Sequence, residues 1–172
     1  MEVLRPYGES MEMEIGRGES RSLLIVNDRL QQECCNRFSF NIYGGGSLKL
    51  VMIAKNCTKL HNSITINFME EGAECTLGGI YLPKGKERVR FETFMNHNAA
   101  RCNSSQLFKG IVTDEATADF YGLIKVPQDC QQTTAYQECN HLLLSDNCRA
   151  NARPQLEIYA DDVKCSHGST FG

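Results

Sequence analysis

A chain of 172 residues with 18 Lys and Arg against 21 Asp and Glu, net charge −3, carries no basic excess, which argues against a nucleic-acid partner held through phosphates. Hydrophobic residues at 41% suffice for one domain, residues 1–172, whose core must come from Leu, Ile, Val, Ala and Cys because Trp is absent. The longest apolar runs, 23–26 and 142–144, fall far short of the roughly 20 residues of a membrane span. The acidic start, with Glu9, Glu12 and Glu14, is unlike a signal peptide, so a cytoplasmic protein with no membrane partner is expected.

The first 20 or so residues, rich in Glu, Met and Gly, show no clear period. From there alternation takes over: Phe38, Phe40 and Ile42; Leu48, Leu50 and Met52; Ile64, Ile66 and Phe68; Val89 and Phe91; Leu156 and Ile158. Period two over short runs predicts strands with one buried face. Polar turns fall between them at 43–46, 70–73, 83–85 and 145–147. Adjacent Cys34 and Cys35 are expected on opposite faces of a strand. His61 and His97, each beside Asn, read as surface residues of turns.

Nine cysteines without a C-x-x-C pair point to small buried residues, metal ligands or reactive thiols rather than a zinc ribbon or disulfide framework. Cys75, Cys102, Ala118, Cys130, Cys148 and Cys165 recur beside polar turns at uneven intervals. Small residues at inward corners fit a solenoid of stacked coils, and a sandwich or barrel is the alternative. A solenoid leaves open strand edges at its ends, which must be capped or given to a partner.

Two C-x-H pairs, Cys139 with His141 and Cys165 with His167, put thiol and imidazole on one strand face, a ligand pair for iron. The plain alternative for Cys139 and His141 is a buried small residue and a satisfied polar one. A carbohydrate-cleaving β-helix is disfavoured: there is no Trp, and neighbouring Asp161 and Asp162 do not make an acid–base pair on a strand.

The string from Pro154 to Gly168, PQLEIYADDVKCSHG, resembles the signature of SufD-type subunits of the SufB/SufD family, the core of the SufBCD iron–sulfur cluster scaffold. LLLSD at 142–146, SQLFKG at 105–110 and the segment from Gly72 to Lys86 resemble the same family in the same order, so the likeness is strongest over 72–172. The resemblance implies an all-β fold, a right-handed parallel β-helix (solenoid) lacking most of the family's flanking helical regions. It implies a scaffold subunit and not an enzyme, pairing edge to edge with a SufB-like paralogue as a heterodimer, or with itself as a homodimer. Leu156, Ile158, Ala160, Val163 and Lys164 would belong to that interface. His167, with Cys165, would contribute to a transient iron–sulfur cluster between the subunits, and no nucleotide is expected. Cys148 and Cys139 fall where SufB-type chains tend to carry cysteine and are further candidate ligands; self-pairing would bring Cys148 and His167 to one seam. The family docks its SufC ATPase through a C-terminal helical segment, and without that segment the resemblance leaves SufC docking doubtful for residues 1–172. The rival reading is a purely structural β-helix dimerisation module without metal.

Overall fold

The computed structural model describes residues 1–172, the side chain of Leu30 apart. Eleven strands follow one another: β1 (Glu2–Leu4), β2 (Ser10–Ile15), β3 (Ser20–Ile42), β4 (Ser47–Phe68), β5 (Glu74–Leu82), β6 (Arg88–His97), β7 (Asn103–Val112), β8 (Thr117–Val126), β9 (Thr134–Leu143), β10 (Arg149–Ile158) and β11 (Lys164–Phe171). Every pairing is parallel. This is a parallel β-helix of about six turns, with no helix among the described residues.

Each coil contributes one strand to each of two facing sheets. The first sheet stacks β1, residues 20–28 of β3, residues 47–55 of β4, then β5, β7, β9 and β11. The second stacks β2, residues 33–42 of β3, residues 59–68 of β4, then β6, β8 and β10. β3 and β4 run through a corner and so serve both sheets. A coil takes 27 residues from Ser20 to Ser47 and 27 more to Glu74, then 29, 31 and 30 on the way to Asn103, Thr134 and Lys164. The growing coil explains the uneven rhythm of the sequence.

The corners have a local cause. All ten residues with positive φ lie at the two bends: Gly18, Gly45, Gly72, Arg101 and Gln132 at one, and Gly8, Arg29, Asn56, Gly85 and Asp114 at the other. A left-handed residue turns the chain sharply enough to start the next strand. Backbone bonds then stack each bend on the next, Gly18 N–H to Gly44 O at 3.0 Å and Gln132 N–H to Asp162 O at 2.6 Å.

Between the sheets the inward positions interdigitate. Phe91, Phe108 and Phe120 form an aromatic column with ring centroids 5.4 and 4.7 Å apart. Seven of the nine cysteines are buried. Cys75, Ser104, Ala135 and Cys165 share one register column, and Cys102 and Cys148 fill corners. Cys34 is buried and Cys35 exposed, as alternation demands.

Three expectations change. The opening residues form β1 and β2, which pair with β3; their outward residues are charged and their inward ones Met or Ile, a pattern too short to show a period. His97 is wholly buried, stacked on Phe68 at 4.2 Å with its Nε2 2.9 Å from Ser104 Oγ, because it continues the inward phase of Val89, Phe91 and Met95. Asp161 and Asp162 are exposed in the bend between β10 and β11 rather than on a strand.

Candidate functional site

Within residues 1–172, β10 and β11 form the C-terminal end of the stack. β10 and β11 are the last strands of their sheets, and each pairs on one side only. In a parallel ladder alternate residues serve alternate neighbours. Lys164 and Gly172 donate their N–H groups to β9 and its flank, and Leu143 donates to Gly172 O. The even-numbered residues of β11 therefore serve β9, and the N–H and C=O groups of Cys165, His167, Ser169 and Phe171 point to the open edge. On β10 the odd-numbered Arg149 and Tyr159 mark the bonds to the β8 side, so the even residues face outward along the sheet. Pro154 falls on that open side, where its missing N–H takes nothing from the ladder.

The side chains tell the same story. The positions that are buried in inner coils, occupied here by Ala150, Ala152, Leu156 and Ile158 on β10, are half-buried within residues 1–172, where β10 is the outermost strand of its sheet. Of the interface residues expected from the sequence, Leu156, Ile158 and Val163 are half-buried, Ala160 is buried and Lys164 exposed.

Cys165 and His167 sit on β11 opposite Ala135 and Gln137, alternate positions on the inward side. His167 is exposed and Cys165 half-buried. Burial pushes the Cys165 thiol above its ordinary pKa, with a backbone hydrogen bond at Ala135 opposing the shift. An open depression of about 470 Å³ lies on the outward face of this part of the sheet, bordered by Tyr136, Glu138, Ser166, His167, Gly168 and Thr170 but not by Cys165.

The other two candidates lie elsewhere. Cys148 occupies the bend before β10, its thiol 3.3 Å from Val112 O and 3.0 Å from Ser145 O. That is the end of β9, whereas Cys165 lies level with its start. Cys139 is buried beside His141, its C-x-H partner, together with Tyr81, which the sequence did not announce. Tyr81 Oη is 2.7 Å from His141 Nε2 and 3.5 Å from Cys139 Sγ, while Cys139 Sγ is 3.9 Å from His141 Nδ1. Phenol and thiol approach opposite nitrogens of the imidazole. Burial lifts the Cys139 thiol to about 11 and lowers His141 to about 4, favouring the neutral form of both. Phe171 stacks over His141 at 5.4 Å, closing the cluster toward the open end.

Among the described residues no three His, Cys, Asp or Glu side chains converge closely enough to hold a metal ion. The open end thus offers a thiol and an imidazole, half of a tetrahedral set.

Comparison with known proteins bears on this end directly. The chain is 36% identical over 146 residues to the iron–sulfur cluster assembly protein SufD of Escherichia coli (strain K12), covering 85% of this chain and 32% of that protein. It is 31% identical over 170 residues to the iron–sulfur cluster assembly SufBD family protein slr0076 of Synechocystis sp., covering 97% of this chain and 38% of that one. It is 28% identical over 108 residues to SufD of Bacillus subtilis (strain 168), covering 63% of this chain and 25% of that protein. The chain spans about a third of the length of the first two relatives. The family described as SUF system FeS cluster assembly, SufBD core domain, matches residues 27–172, which takes in every strand from β4 to β11 and most of β3. A parallel β-solenoid matched from within β3 through its outermost strand β11 belongs to the SufB/SufD core family.

Proposed function

We propose that this chain is a scaffold half in iron–sulfur cluster assembly, without catalysis of its own, acting in the cytoplasm by pairing its open edges with a SufB-like chain or a second copy. The reading rests on one observation: Cys165 and His167 stand on the open last strand, on the side where inner coils keep their core. A partner strand laid along β11 would complete both the ladder and the ligand set. The cluster is the cargo, held in passing between the two chains. Relatives named for cluster assembly support the role.

The test is anaerobic reconstitution with iron, sulfide and the SufB-like chain, monitored by cluster absorption and by complex formation. His167→Ala is expected to reduce cluster yield at least tenfold with the complex intact. Unchanged yield removes His167 from the site. A purely structural pairing module is the second reading, favoured by the half-buried Leu156 and Ile158. It requires that Cys165 and His167 variants be silent while charged residues at Leu156 and Ile158 abolish pairing.

A further inference from the structure

Side chains that repeat on successive coils of this solenoid normally bond to one another. Asn36 donates to Asn62 Oδ1 at 2.8 Å, and Asn96, Asn67 and Asn41 form a ladder with steps of 2.9 and 2.8 Å. Gln106 and Gln137 stand in the same relation, inward and in register on β7 and β9. Yet they form no ladder. Each is only 2% exposed, and both Nε2 and both Oε1 atoms lack a hydrogen-bond partner in the protein. Thr93, wholly buried on the facing sheet, has an unpartnered Oγ1.

These five atoms are gathered rather than scattered. Gln137 reaches across the core to β8: a Cβ on Gly122 would fall 1.9 Å from its Nε2. Gly122 is the register neighbour of Thr93. Gln106 adjoins Gln137 one coil inward. Only one other buried side-chain polar atom among the described residues is unpartnered, His97 Nδ1. Buried amides and hydroxyls left dry are strongly unfavourable, and native proteins satisfy such groups with internal water. The chemistry of the niche selects that guest. Amide and hydroxyl groups both donate and accept, and none of the three side chains carries a charge that would hold an ion.

We propose that Thr93, Gln106 and Gln137 form an internal hydration site, with Gly122 leaving room for the Gln137 amide, which lies where a Cβ would fall. Its roof is the last coil, where Pro154 pairs with Gly122 and His167 with Gln137. Bound water thus lies one coil beneath His167. The inference goes beyond the scaffold role and does not depend on it.

Oxygen-17 relaxation dispersion on the 172-residue chain counts long-lived internal waters. One or more is expected, lost in Gln106→Leu/Gln137→Leu and, separately, in Gly122→Ala. A crystal structure at atomic resolution should place ordered oxygens about 2.7–3.2 Å from these amides. The proposal fails if the natural chain holds no long-lived water, if the count survives in folded variants, or if the crystal shows the two amides bonded to each other. Where the variants do not fold, the count on the natural chain and its crystal structure decide.

Discussion

At Gly79 the chain meets the ring of Phe108, and an added Cβ would lie 2.3 Å from it. Its neighbour Gly78 faces the other way, with nothing nearer than Leu107 O at 3.9 Å. Gly79→Ala must displace a ring held between Phe91 and Phe120, and overpacking of that kind costs about 1–3 kcal/mol. Gly78→Ala should change stability by less than about 0.5 kcal/mol. Urea denaturation of the pair measures the difference. Equal effects would mean that the core relaxes around Phe108.

Two buried histidines make stability depend on pH. Burial lowers His97 and His141 to about 4 in the folded chain, against about 6.5 unfolded. Below pH 6.5 the unfolded chain takes up protons that the folded chain refuses, so stability is full above that pH and falls as pH drops toward 4. The loss reaches roughly 3 kcal/mol per histidine by pH 4. Glu70, held down to about 2 by its hydrogen bond with Arg17, contributes its own loss only below about pH 4.5. Urea midpoints between pH 7 and 4.5 should fall, and His97→Gln should flatten the slope by about half. A flat profile for the natural chain would show that both imidazoles are protonated inside the fold.

Among the elements, β11 is where folding and association separate. Ser169 has its N–H on the open edge, whereas Ser166 and Thr170 belong to the half of the strand that bonds to β9. Ser169→Pro is therefore expected to leave the melting temperature within a few degrees of the natural chain while abolishing edge pairing, seen by size-exclusion chromatography with the SufB-like chain. Thr170→Pro should unfold the end of β11. Association of Ser169→Pro with unchanged affinity would move the interface off this edge. β10 already carries Pro154 on its open side, so β11 is the strand with an uninterrupted row of donors.

For the whole molecule, neighbour-to-neighbour stacking sets how stability is distributed. Each coil touches only the coils beside it, so opening propagates inward from the ends. β4, bonded on both sides through both halves, is expected to show the slowest amide exchange. Protection should decline through β6 and β8 to β10, and through β5, β7 and β9 to β11, by hydrogen-exchange mass spectrometry. A partner added at the open end should raise protection of β10 and β11 first. Uniform protection would mean a single cooperative unit rather than a graded stack.

Much of this was legible from residues alone. Alternation identified the strands, their buried faces and the opposite fates of Cys34 and Cys35, because period two is a property of each strand by itself. The long string at 154–168 carried the family, and with it the β-helix. Where alternation ran through an unusual residue, reading by local context failed: His97 looked like a turn and is core. Which residues meet across coils was settled only by the fold. Partners such as Tyr81 and His141, or Gln106, Gln137 and His167, stand about 30 residues apart or more, and lengthening coils hide their alignment. Likewise the strand pattern of β11 resembles that of its neighbours, and only the stack shows it to be outermost among residues 1–172, with His167 exposed. A strand's own faces follow from backbone geometry over a few residues; its neighbours follow from how many residues each turn of the solenoid consumes.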